Sequence, residues 1–375
     1  MKIAIVHPWF LELGGAEKVV DALASIYLTA DIFTLSADPE LLSPSLKKRK
    51  IYTSGLDRVM RCGYKYKRTC LMPLFPVAVE SFDVSQYDLV ISCCGPAVMG
   101  VNPSQDAVHV SYVHTPQRAW WDLYSFRQAR MSFVTRSIFV PAATHIRMFE
   151  FNAMQRVDHV VSNSNYIAKR VSKYFRRDST VIYPPVDTSR GYLSTIHDDY
   201  YLSLSRLDKD KGIELLIGAC NKLGRRLVIA GTGRMEKHLK SIAGPTIAFL
   251  GRVPDAELSP LYANCRAFLF AADEDFGIVS VEAQSYGRPV IAFGHGGSLE
   301  TVRVDDPEGR PDTGVFFPAQ TVESVMDGIR HFESREHGFI SESIQEHARR
   351  FDASVFKNQF RSFVDNAVAR EFAQR

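Results

Sequence analysis

Two glutamates, Glu274 and Glu282, lie eight positions apart in the sequence ADEDFGIVSVEAQSYG, which occupies residues 272–287. Carboxylates at such a spacing could form an acid–base pair, coordinate a metal ion, or hold two parts of one polar ligand. Gly277 stands between them, where an apolar strand ends and a helix is predicted to begin. The first amides of a helix lack partners and carry partial positive charge, so we expect a phosphate there.

The spacing of the two glutamates fits a nucleotide. Glu282 is predicted to lie about 7.5 Å along the helix axis, which is roughly the distance from a nucleoside's diphosphate to its ribose hydroxyls. Glu274 would lie on the opposite side of the phosphates, beside the sugar that the nucleotide carries. Two alternatives stay open: both glutamates could lie on the surface of an amphipathic helix, or the acids from Asp273 to Asp275 could bind Mg²⁺.

A basic loop provides a second candidate for phosphate binding. Arg206 and Lys211 are five positions apart in LSRLDKDKGIELL, just after a predicted strand. Both could reach one diphosphate, the guanidinium through paired N–H donors and the ammonium as a point charge, although such loops can also be merely solvated. A third candidate, Gly231 in GTGRMEKHL, belongs to an incomplete dinucleotide-binding motif, because Glu236 occupies the place of its third glycine.

The first half of the chain has candidate residues at the ends of two predicted strands. Gly14 and Gly15 follow the first strand, where such folds bring backbone close to phosphate; a tight turn is the alternative. A later strand ends at His114, and aromatic faces that suit sugar rings follow it. The residues after that strand are Arg118, Trp120 and Trp121. The histidines predicted to be structural are His7, His109 and His159.

These loops require a scaffold of parallel strands and helices. Short β-branched runs alternate with longer amphipathic stretches, which predicts an α/β fold. The candidate strands are KIAIV, ADIFTL, DLVISC, VHVSYVH, DHVVSNS and STVIYPP, then YYLSLSRL, RLVIAG, TIAFLGR, AFLFAA, RPVIAF and GVFF. A turn-rich segment near residues 184–198 separates the two sets.

We therefore predict two Rossmann-like, doubly wound domains that face a central cleft, where ligands bind at strand ends. The predicted bounds are 1–185 for the domain that binds an acceptor and 186–355 for the domain that binds a nucleotide-sugar. Residues 356–375 are predicted to form a helix that crosses back to the first domain.

The composition is that of an ordinary protein of two domains: 375 residues, 46% hydrophobic, with a net charge of +3. The six cysteines show no C-x-x-C pair and no metal-ligand spacing, so we expect reduced thiols. The first residues do not resemble a secretion signal, and no stretch approaches the ~20 apolar residues that span a bilayer. We therefore expect a cytoplasmic protein.

One segment predicts contact with a membrane surface. Residues 47–68, KKRKIYTSGLDRVMRCGYKYKR, contain nine Lys or Arg and one Asp, interleaved with Tyr, Met and Leu. Such a stretch can bind anionic lipid at about 1 kcal/mol per basic residue, whereas a solvated basic face is the alternative. Nucleic acid is not an expected partner, because the other phosphate-binding candidates suit a small ligand.

The chain resembles the family 4 glycosyltransferases of GT-B fold along almost its whole length. The pieces that carry the resemblance are GGAEKVV, VHTP, VSNSNYIAKRV, LSRLDKDKGI, GTGRMEKHL, FLGRVPDAELSPLYANCRAFLFAADEDFGIVSVEAQSYGRPVIAF and GGSLETV. The resemblance implies a retaining transfer from a nucleotide-sugar, with no obligatory metal ion and no other cofactor.

The resemblance also implies a role for each candidate residue. Glu282 is expected on the ribose and Glu274 on the hydroxyls of the transferred sugar, so that the two glutamates form a binding clamp. The diphosphate is expected on Arg206 and Lys211. Further donor contacts are expected from Gly14, Gly15, Gly231, Arg252, Val253, Phe276, Gly277 and Ile278. The residues expected in catalysis are Glu274, His114, Arg206 and Lys211, and those expected to bind the acceptor are Glu17, Arg118, Trp120 and Trp121.

Three further pieces resemble bacterial O-antigen and exopolysaccharide mannosyltransferases: HTPQRAWWDLY, MPLFPVAVESFDVSQYDLVIS and IRMFEFNAMQRVDHVVSNS. They imply GDP-mannose as donor, a lipid-diphosphate-linked saccharide as acceptor, and a location at the inner face of the cytoplasmic membrane. The sequence departs from these relatives at MFE, residues 148–150, where they more often have a Trp–Asp pair.

Three other functions compete with this interpretation. A non-hydrolysing nucleotide-sugar epimerase would use the same diphosphate contacts but would need an acid–base pair at the sugar. A dinucleotide-dependent oxidoreductase lacks its complete glycine motif here. A non-catalytic protein that binds sugar nucleotides would keep its role without Glu274.

Overall fold

The computed structural model of the protein describes residues 1–12, 14–62, 71–93, 95, 97–196 and 198–373. Its contacts divide the chain into two compact units. The first comprises Met1–Pro185 together with Phe356–Arg375, and the second comprises Val186–Val355.

The first unit is built on a parallel sheet of seven strands in the order β3-β2-β1-β4-β5-β6-β7. The strands are β1 (Ile3–Phe10), β2 (Asp31–Ala37), β3 (Ile51–Thr53), β4 (Leu89–Cys93), β5 (Val108–Val113), β6 (His159–Ser162) and β7 (Thr180–Val181). Every residue of β4 and β5 is buried, because helices cover both faces of the sheet. Ile3 and Ile5 belong to one core cluster, whereas Ala4 and Val6 belong to the cluster on the other face.

The helices of the first unit connect these strands. They are α1 (Gly15–Ile26), α2 (Asp57–Arg61), α3 (Phe75–Glu80), α4 (Tyr124–Gln128), α5 (Phe133–Gln155) and α6 (Asn165–Phe175). Short 3₁₀ turns lie at Leu46–Lys48, Met72–Leu74 and Val98–Gly100. The apolar side of α1 packs on one face of the sheet through Val19, Val20 and Leu23.

The second unit contains a parallel sheet of six strands in the order β10-β9-β8-β11-β12-β13. The strands are β8 (Tyr201–Leu204), β9 (Leu227–Ala230), β10 (Ile247–Gly251), β11 (Ala267–Phe270), β12 (Val290–Phe293) and β13 (Gly314–Phe317). Its helices are α7 (Ile213–Leu223), α8 (Glu236–Ile242), α9 (Asp255–Asn264), α10 (Ile278–Ser285), α11 (Ser298–Thr301), α12 (Val322–Arg335) and α13 (Ser341–Arg349). 3₁₀ turns lie at Thr188–Arg190, Lys209–Lys211 and Glu336–Gly338.

The predicted fold class, two doubly wound parallel sheets, is confirmed in both units. In each sheet the strand order reverses beside the first strand, between β1 and β4 and between β8 and β11. Loops that leave neighbouring strands diverge at such a switch point and create a crevice for ligands. The loops after β8 and β11 contain Arg206, Lys211, Glu274 and Gly277.

The last helix, α14 (Ala353–Ala373), returns the chain to the first unit. Phe356, Phe360 and Val364 are buried there in the core cluster that contains β1 and α1. The rings of Phe356 and Phe360 lie 5.7 and 6.1 Å from the ring of Tyr112 on β5. Val186 and Asp352, at the two ends of the second unit, form a parallel bridge, with Val186 N donating to Phe351 O at 3.0 Å.

Candidate functional site

Lys211 and Glu274 form the centre of the site in the second unit. Lys211 ends a 3₁₀ turn after β8, and Glu274 follows β11, the neighbouring strand. The Lys211 Nζ donates to Glu274 Oε1 at 2.8 Å, and the two side chains are 14% and 28% exposed. Asp210 Oδ2 lies 3.2 Å from the same ammonium. The structure therefore brings together two predicted residues that are far apart in the sequence.

The electrostatics keep Lys211 charged. Burial disfavours the ammonium, but the charges of Glu274 and Asp210 outweigh that effect and raise the pKa of Lys211. An ammonium has three N–H donors, and the two carboxylates account for two of them. A fixed cation of this kind can hold a ligand oxygen without any change of protonation.

Arg206 is exposed, and its Nη1 lies 3.9 Å from Asp208 Oδ2. The loop that carries it packs against the loop after β9. A Cβ added at Gly231, where φ is +131°, would lie 1.8 Å from the Ser205 carbonyl oxygen. In this structure Gly231 therefore permits the close approach of two loops, which sets the path of the backbone at Arg206.

The α10 helix begins beside Glu274. Gly277, which precedes Ile278, adopts φ 86° and ψ 57°, and a Cβ there would lie 3.3 Å from Phe270 Cε1. This left-handed conformation turns the chain from the loop into the helix. Phe276 is buried, and no side chain caps the helix N-terminus. The first amides of α10 therefore have no side-chain cap among the described residues, and their predicted contact with a phosphate stays a prediction.

A glycine pair that the sequence analysis assigned to no role supports this loop. Gly297 N donates to Glu274 O at 2.8 Å, and a Cβ at Gly297 would lie 2.3 Å from Phe276 Cα. His295 Nδ1 lies 2.9 Å from Asp273 Oδ1. The two adjacent glycines before α11 could have predicted this contact from the sequence, because adjacent glycines often mark close packing of backbones.

Glu282 lies on α10 and is partly buried. Tyr262 on α9 donates its hydroxyl to Glu282 Oε2 at 3.1 Å, and its ring stacks on that of Tyr286 at 5.5 Å. Burial and the charge of Glu282 raise the pKa of Tyr262 well above its usual range, so the phenol stays a donor. One carboxylate oxygen is thus oriented by the protein. No pattern in the sequence indicated this tyrosine.

Arg252 and Val253 follow β10, with Arg252 exposed and Val253 partly exposed. The end of β10 is tied to the end of β9, because Gly231 N donates to Gly251 O at 2.7 Å. Gly251 has a φ of +67°, so the backbone turns sharply just before Arg252. The backbone at these two residues therefore leaves the sheet on the side of the strand ends.

A second cluster, in the first unit, joins the ends of β1, β4 and β5. His7 Nδ1 donates to Cys93 O at 3.3 Å, and His7 Nε2 lies 3.7 Å from Glu17 Oε1. Cys93 Sγ lies 3.4 Å from His114 Nε2. The carboxylate of Glu17 also lies over Gly14, since a Cβ there would approach Glu17 Oε2 to 3.0 Å.

This cluster gathers three predicted residues, Gly14, Glu17 and His114, around His7, which the sequence analysis treated as structural. Burial, with the nearby His7, lowers the pKa of His114 to about 3. His114 is therefore a neutral imidazole over the physiological range, able to donate or accept a hydrogen bond. Gly15 is the first residue of α1, and Gly14 precedes it without a side-chain cap.

The aromatic segment after β5 differs from the expectation of exposed sugar platforms. Trp120 is buried, stacks on Phe139 at 5.2 Å and donates its Nε1 to Gln117 Oε1 at 2.8 Å. The structure thus places Trp120 in the core, because its large apolar ring meets a complementary ring on α5. Trp121 is partly buried and lies 5.0 Å from the ring of Tyr174.

Arg118 lies near a carboxylate that also binds Arg170. Its Nε is 3.8 Å from Asp122 Oδ2, and Arg170 and Tyr174 contact the same carboxylate. Arg170 also donates to Pro116 O at 2.9 Å, which fixes the chain after His114. Asp122 and Arg170 were not predicted, and they hold the segment that carries Arg118.

Glu150 is a further residue that the sequence did not indicate as functional. It is buried on α5 and accepts from Trp121 Nε1 at 2.8 Å through Oε2, whereas its Oε1 has no hydrogen-bond partner among the described residues. Burial raises the pKa of Glu150 to about 7, and the bond from Trp121 lowers it in part. Within the described ranges the amide nitrogen of Gln117 also lacks a hydrogen-bond partner, and both side chains line a small pocket with Trp120 and Phe149.

The basic segment 47–68 is described only as far as Cys62, so residues 63–68 lie outside the described residues. Lys47, Lys48 and Lys50 are exposed. Arg49 instead donates to Ala24 O at 3.0 Å and anchors the segment to α1. Across the described ranges, no group of three or more His, Cys, Asp or Glu side chains could hold a metal ion. No helix in the described part of the chain is long and apolar enough to cross a bilayer.

The chain matches two family descriptions. Residues 13–190 match "Glycosyltransferase Family 4", and residues 193–352 match "Glycosyl transferases group 1". An α-1,3/1,6-mannosyltransferase ALG2 of Kluyveromyces lactis is 26% identical over 80% of this chain and 71% of its own. The O-antigen chain mannosyltransferase C of Escherichia coli is 23% identical over 79% of this chain and 80% of its own.

One further relative matches over a shorter part of the chain. The ALG2 mannosyltransferase of Candida glabrata is 28% identical to this chain. The match covers 39% of this chain and 44% of that protein. Among solved structures, Anabaena Alr3699/HepE in complex with UDP aligns with a TM-score of 0.71 at 19% identity, covering 98% of this chain and 100% of that one. At that identity the likeness concerns the fold alone.

Proposed function

The chain belongs to the family 4 glycosyltransferases, and from this premise we propose that it is a retaining, metal-independent α-mannosyltransferase that uses GDP-mannose. The acceptor is a lipid-diphosphate-linked saccharide, and the product enters a bacterial surface polysaccharide. The observation that carries the proposal is the ion pair of Lys211 and Glu274 beside the start of α10. The names of the relatives from Kluyveromyces lactis and Escherichia coli support mannose as the transferred sugar.

The second unit binds the donor in this proposal. The first amides of α10, at Phe276, Gly277 and Ile278, receive one phosphate, and Lys211 and Arg206 receive the remaining charge. Glu282, held by Tyr262, accepts hydrogen bonds from the ribose hydroxyls. Arg252 and Val253 contact the base through their backbone, and Gly231 keeps the adjoining loop close.

Charge development explains why cations belong at the leaving group. When the bond between the anomeric carbon and the phosphate oxygen breaks, positive charge forms on the sugar and additional negative charge forms on the diphosphate. Fixed cations and helix amides stabilise that charge more in the transition state than in the ground state. Lys211 and Arg206 supply the charge that a divalent ion supplies in other transferases.

The acceptor oxygen then bonds to the anomeric carbon on the face that the phosphate leaves. Its proton passes to the departing phosphate oxygen, so the products are the new glycoside and GDP. Glu274 accepts hydrogen bonds from the hydroxyls of the transferred mannose and fixes the ring during this exchange. No residue acts as a covalent nucleophile in this route.

The first unit binds the acceptor in this proposal. Gly14 and Gly15 lie at the start of α1, where backbone can approach the phosphates. His114, neutral because its pKa is lowered, hydrogen-bonds the reacting sugar. Glu17, Arg118 and Trp121 contact the acceptor saccharide. The protein works at the inner face of the cytoplasmic membrane, where residues 47–68 contact anionic lipid.

Thermal unfolding with nucleotides tests the donor. GDP and GDP-mannose are expected to raise the melting temperature more than UDP, ADP or their sugars, and EDTA is expected to leave the shift unchanged. A preference for UDP would contradict the mannose assignment. Loss of the shift with EDTA would contradict metal independence.

Turnover of Glu274→Gln tests whether the site is catalytic. The variant is expected to lose about a hundredfold or more in kcat while it keeps most of its GDP affinity, because Glu274 contacts the sugar. Glu323→Gln is the matched control, since Glu323 pairs with Lys222 at 2.9 Å on the surface of the same unit. Equal losses in both variants would show that Glu274 has no special role.

Two products separate the proposal from its rivals. An epimerase would change the sugar of a nucleotide-sugar incubated alone, whereas this protein is expected to need an acceptor. A non-catalytic sugar-nucleotide-binding protein would bind GDP and release no GDP from GDP-mannose with any acceptor.

A further inference from the structure

The α5 helix has two apolar faces, and among the described residues only one of them packs on other parts of the protein. Its inward face contains Phe139, Ala143 and Ile146, and Phe139 lies between the rings of Trp120 and Tyr124 at 5.2 and 5.7 Å. At about 100° per residue these three side chains share one narrow arc of the helix. This face is a normal core contact.

The other face is apolar and exposed. Phe133, Val134 and Ile138 are 86%, 71% and 71% exposed and fall on the side of the helix opposite the inward face. Met148 and Phe151 continue the same side about three to four turns after Ile138, and the exposed Thr144 and His145 lie between Ile138 and Met148. The exposed stripe therefore extends over roughly 27 Å at ~1.5 Å per residue.

The region that precedes α5 adds to this surface. Phe126 on α4 is exposed, and Arg130 lies over its ring with the guanidinium carbon 3.4 Å from the centroid. Arg127 and Arg136 are exposed as well. From Leu123 to Phe149 the sequence contains four arginines and no Asp or Glu. Along this stretch of the chain, the charged side chains that accompany the exposed aromatic and aliphatic residues are therefore all arginines.

We infer that this face, formed by Phe126, Arg127, Arg130, Phe133, Val134, Arg136 and Ile138, docks on an anionic lipid bilayer. Helices that lie in the plane of a membrane interface bury Phe, Val and Ile among the acyl chains and extend Arg to the headgroups. The first turns of α5 are exposed all round, so they can enter the interface without disturbing the core.

Charge argues against a second copy of the chain as the occupant. A twofold contact places the same surface on both sides, and it would bring these arginines against one another while residues 123–149 supply no carboxylate to pair with them. Anionic headgroups instead supply the complementary charge. The inference rests on the proposed function only for the location of the acceptor, since the exposed face itself requires no donor and no reaction.

Vesicle sedimentation with the full chain tests the inference. The protein is expected to bind phosphatidylglycerol vesicles and to bind phosphatidylcholine vesicles weakly. Replacing the exposed apolar residues, Phe133→Ser with Val134→Ser and Ile138→Ser, is expected to weaken binding at least about tenfold. The matched control replaces Leu28, Ile196 and Leu299, which are 67%, 58% and 57% exposed elsewhere, with serine and is expected to bind normally.

The arginines are tested separately. Arg127→Gln with Arg130→Gln and Arg136→Gln is expected to reduce binding to phosphatidylglycerol about a hundredfold and to remove most of its salt dependence. In a Phe133→Trp variant, indole emission is expected to shift to the blue on phosphatidylglycerol vesicles, since the ring enters an apolar medium.

Several outcomes would overturn the inference. These are vesicle binding by the apolar triple variant equal to that of the unmodified protein, or loss of binding only when Lys47, Lys48 and Lys50 become glutamine. A concentration-dependent dimer that the apolar variant abolishes would identify a second copy as the occupant. The GDP-induced thermal shift should be unchanged in every variant; its absence from the unmodified protein would contradict the proposed function while leaving vesicle binding as an independent result.

Discussion

Lys211 has two carboxylate partners of different exposure. Asp210 is 68% exposed and 3.2 Å away, whereas Glu274 is 28% exposed and 2.8 Å away. Exposed ion pairs contribute little because water screens them, so Asp210 is the weaker partner. We expect an incoming phosphate to displace Asp210 and to leave the bond to Glu274 in place. Lys211 would then connect the phosphate to the carboxylate that we propose contacts the sugar.

Tyr262 and Glu282 allow a test of the ribose contact. Tyr262→Phe removes the 3.1 Å hydrogen bond to Glu282 and is expected to weaken GDP binding about three- to tenfold. Glu282→Gln is expected to weaken it more, because the amide accepts through one oxygen only. If the tyrosine acts through the glutamate, the effects in the double variant will be less than additive in titration calorimetry. Fully additive effects would show that Tyr262 and Glu282 influence GDP binding independently.

Glu150 predicts a specific pH dependence. Burial raises the pKa of Glu150 in the folded protein to about 7, whereas the carboxyl in the unfolded chain ionises near 4.5. The free energy of unfolding therefore decreases as the pH rises between these values. Glu150→Gln removes the ionisation. We therefore compare the free energies of unfolding of Glu150→Gln and of the unmodified protein. Their difference is expected to move in favour of the variant by up to about 3 kcal/mol between about pH 5 and about pH 8.

Thermal unfolding at the two pH values measures this difference. Glu80→Gln is the control, because Glu80 is an exposed residue of the same unit that pairs with Arg156 at 3.1 Å. It is expected to show no comparable change with pH. A difference between Glu150→Gln and the unmodified protein that does not vary with pH would show that Glu150 is not buried in its neutral form.

At the scale of single elements, the start of α10 depends on one backbone conformation. Gly277→Ala must adopt φ near +86° with its Cβ about 3.3 Å from Phe270, so we expect a loss of roughly 1–2 kcal/mol in stability and weaker GDP binding. Gly224→Ala is the matched control. It has a φ of +65° at the end of α7 and an open space for the Cβ.

Both glycine variants are expected to lose stability in urea unfolding, but only Gly277→Ala should lose GDP affinity in calorimetry. If the two variants bind GDP with equal affinity, the α10 amides do not form part of the donor site. The comparison separates backbone strain, which both share, from the position of the helix amides, which only one changes.

At the scale of the whole molecule, the last helix stabilises the first unit. Phe360 on α14 is fully buried against Tyr112, so Phe360→Ala is expected to cost about 3–5 kcal/mol. Hydrogen exchange should show lost protection in β1 and β5, while β8 and β11 keep theirs. Phe332→Ala, equally buried on α12 in the second unit, is expected to give the reverse pattern. The same pattern in both variants would contradict this assignment.

The scaffold could be predicted because buried parallel strands appear in sequence as short β-branched runs. The twelve predicted strands correspond to observed ones, and β3 was missed because only three residues form it, two of them exposed. Gly277 after a predicted strand indicated the start of α10, and Arg206 with Lys211 indicated the loop after β8. These signals are local, so sequence alone contains them.

The remaining parts of the site depend on residues that meet only after folding. Tyr262 lies twenty positions from Glu282, and Trp121 lies twenty-nine from Glu150. Which carboxylate Lys211 selects depends on exposure, which no local pattern encodes. Trp120, predicted to bind the acceptor, lies in the core because Phe139 covers it from α5. Packing between distant elements decided each of these cases.

The chain order of the first unit has a consequence for biosynthesis. Its hydrophobic interior takes Phe356, Phe360 and Val364 from α14, which the ribosome makes only after the entire second unit. The apolar residues of β1 and α1 that contact α14 therefore stay without this cover while about 170 further residues are translated. Chaperones that recognise apolar surface can bind the first unit during that interval. A premature stop codon near position 355 would remove α14 and so destabilise the unit that was synthesised first.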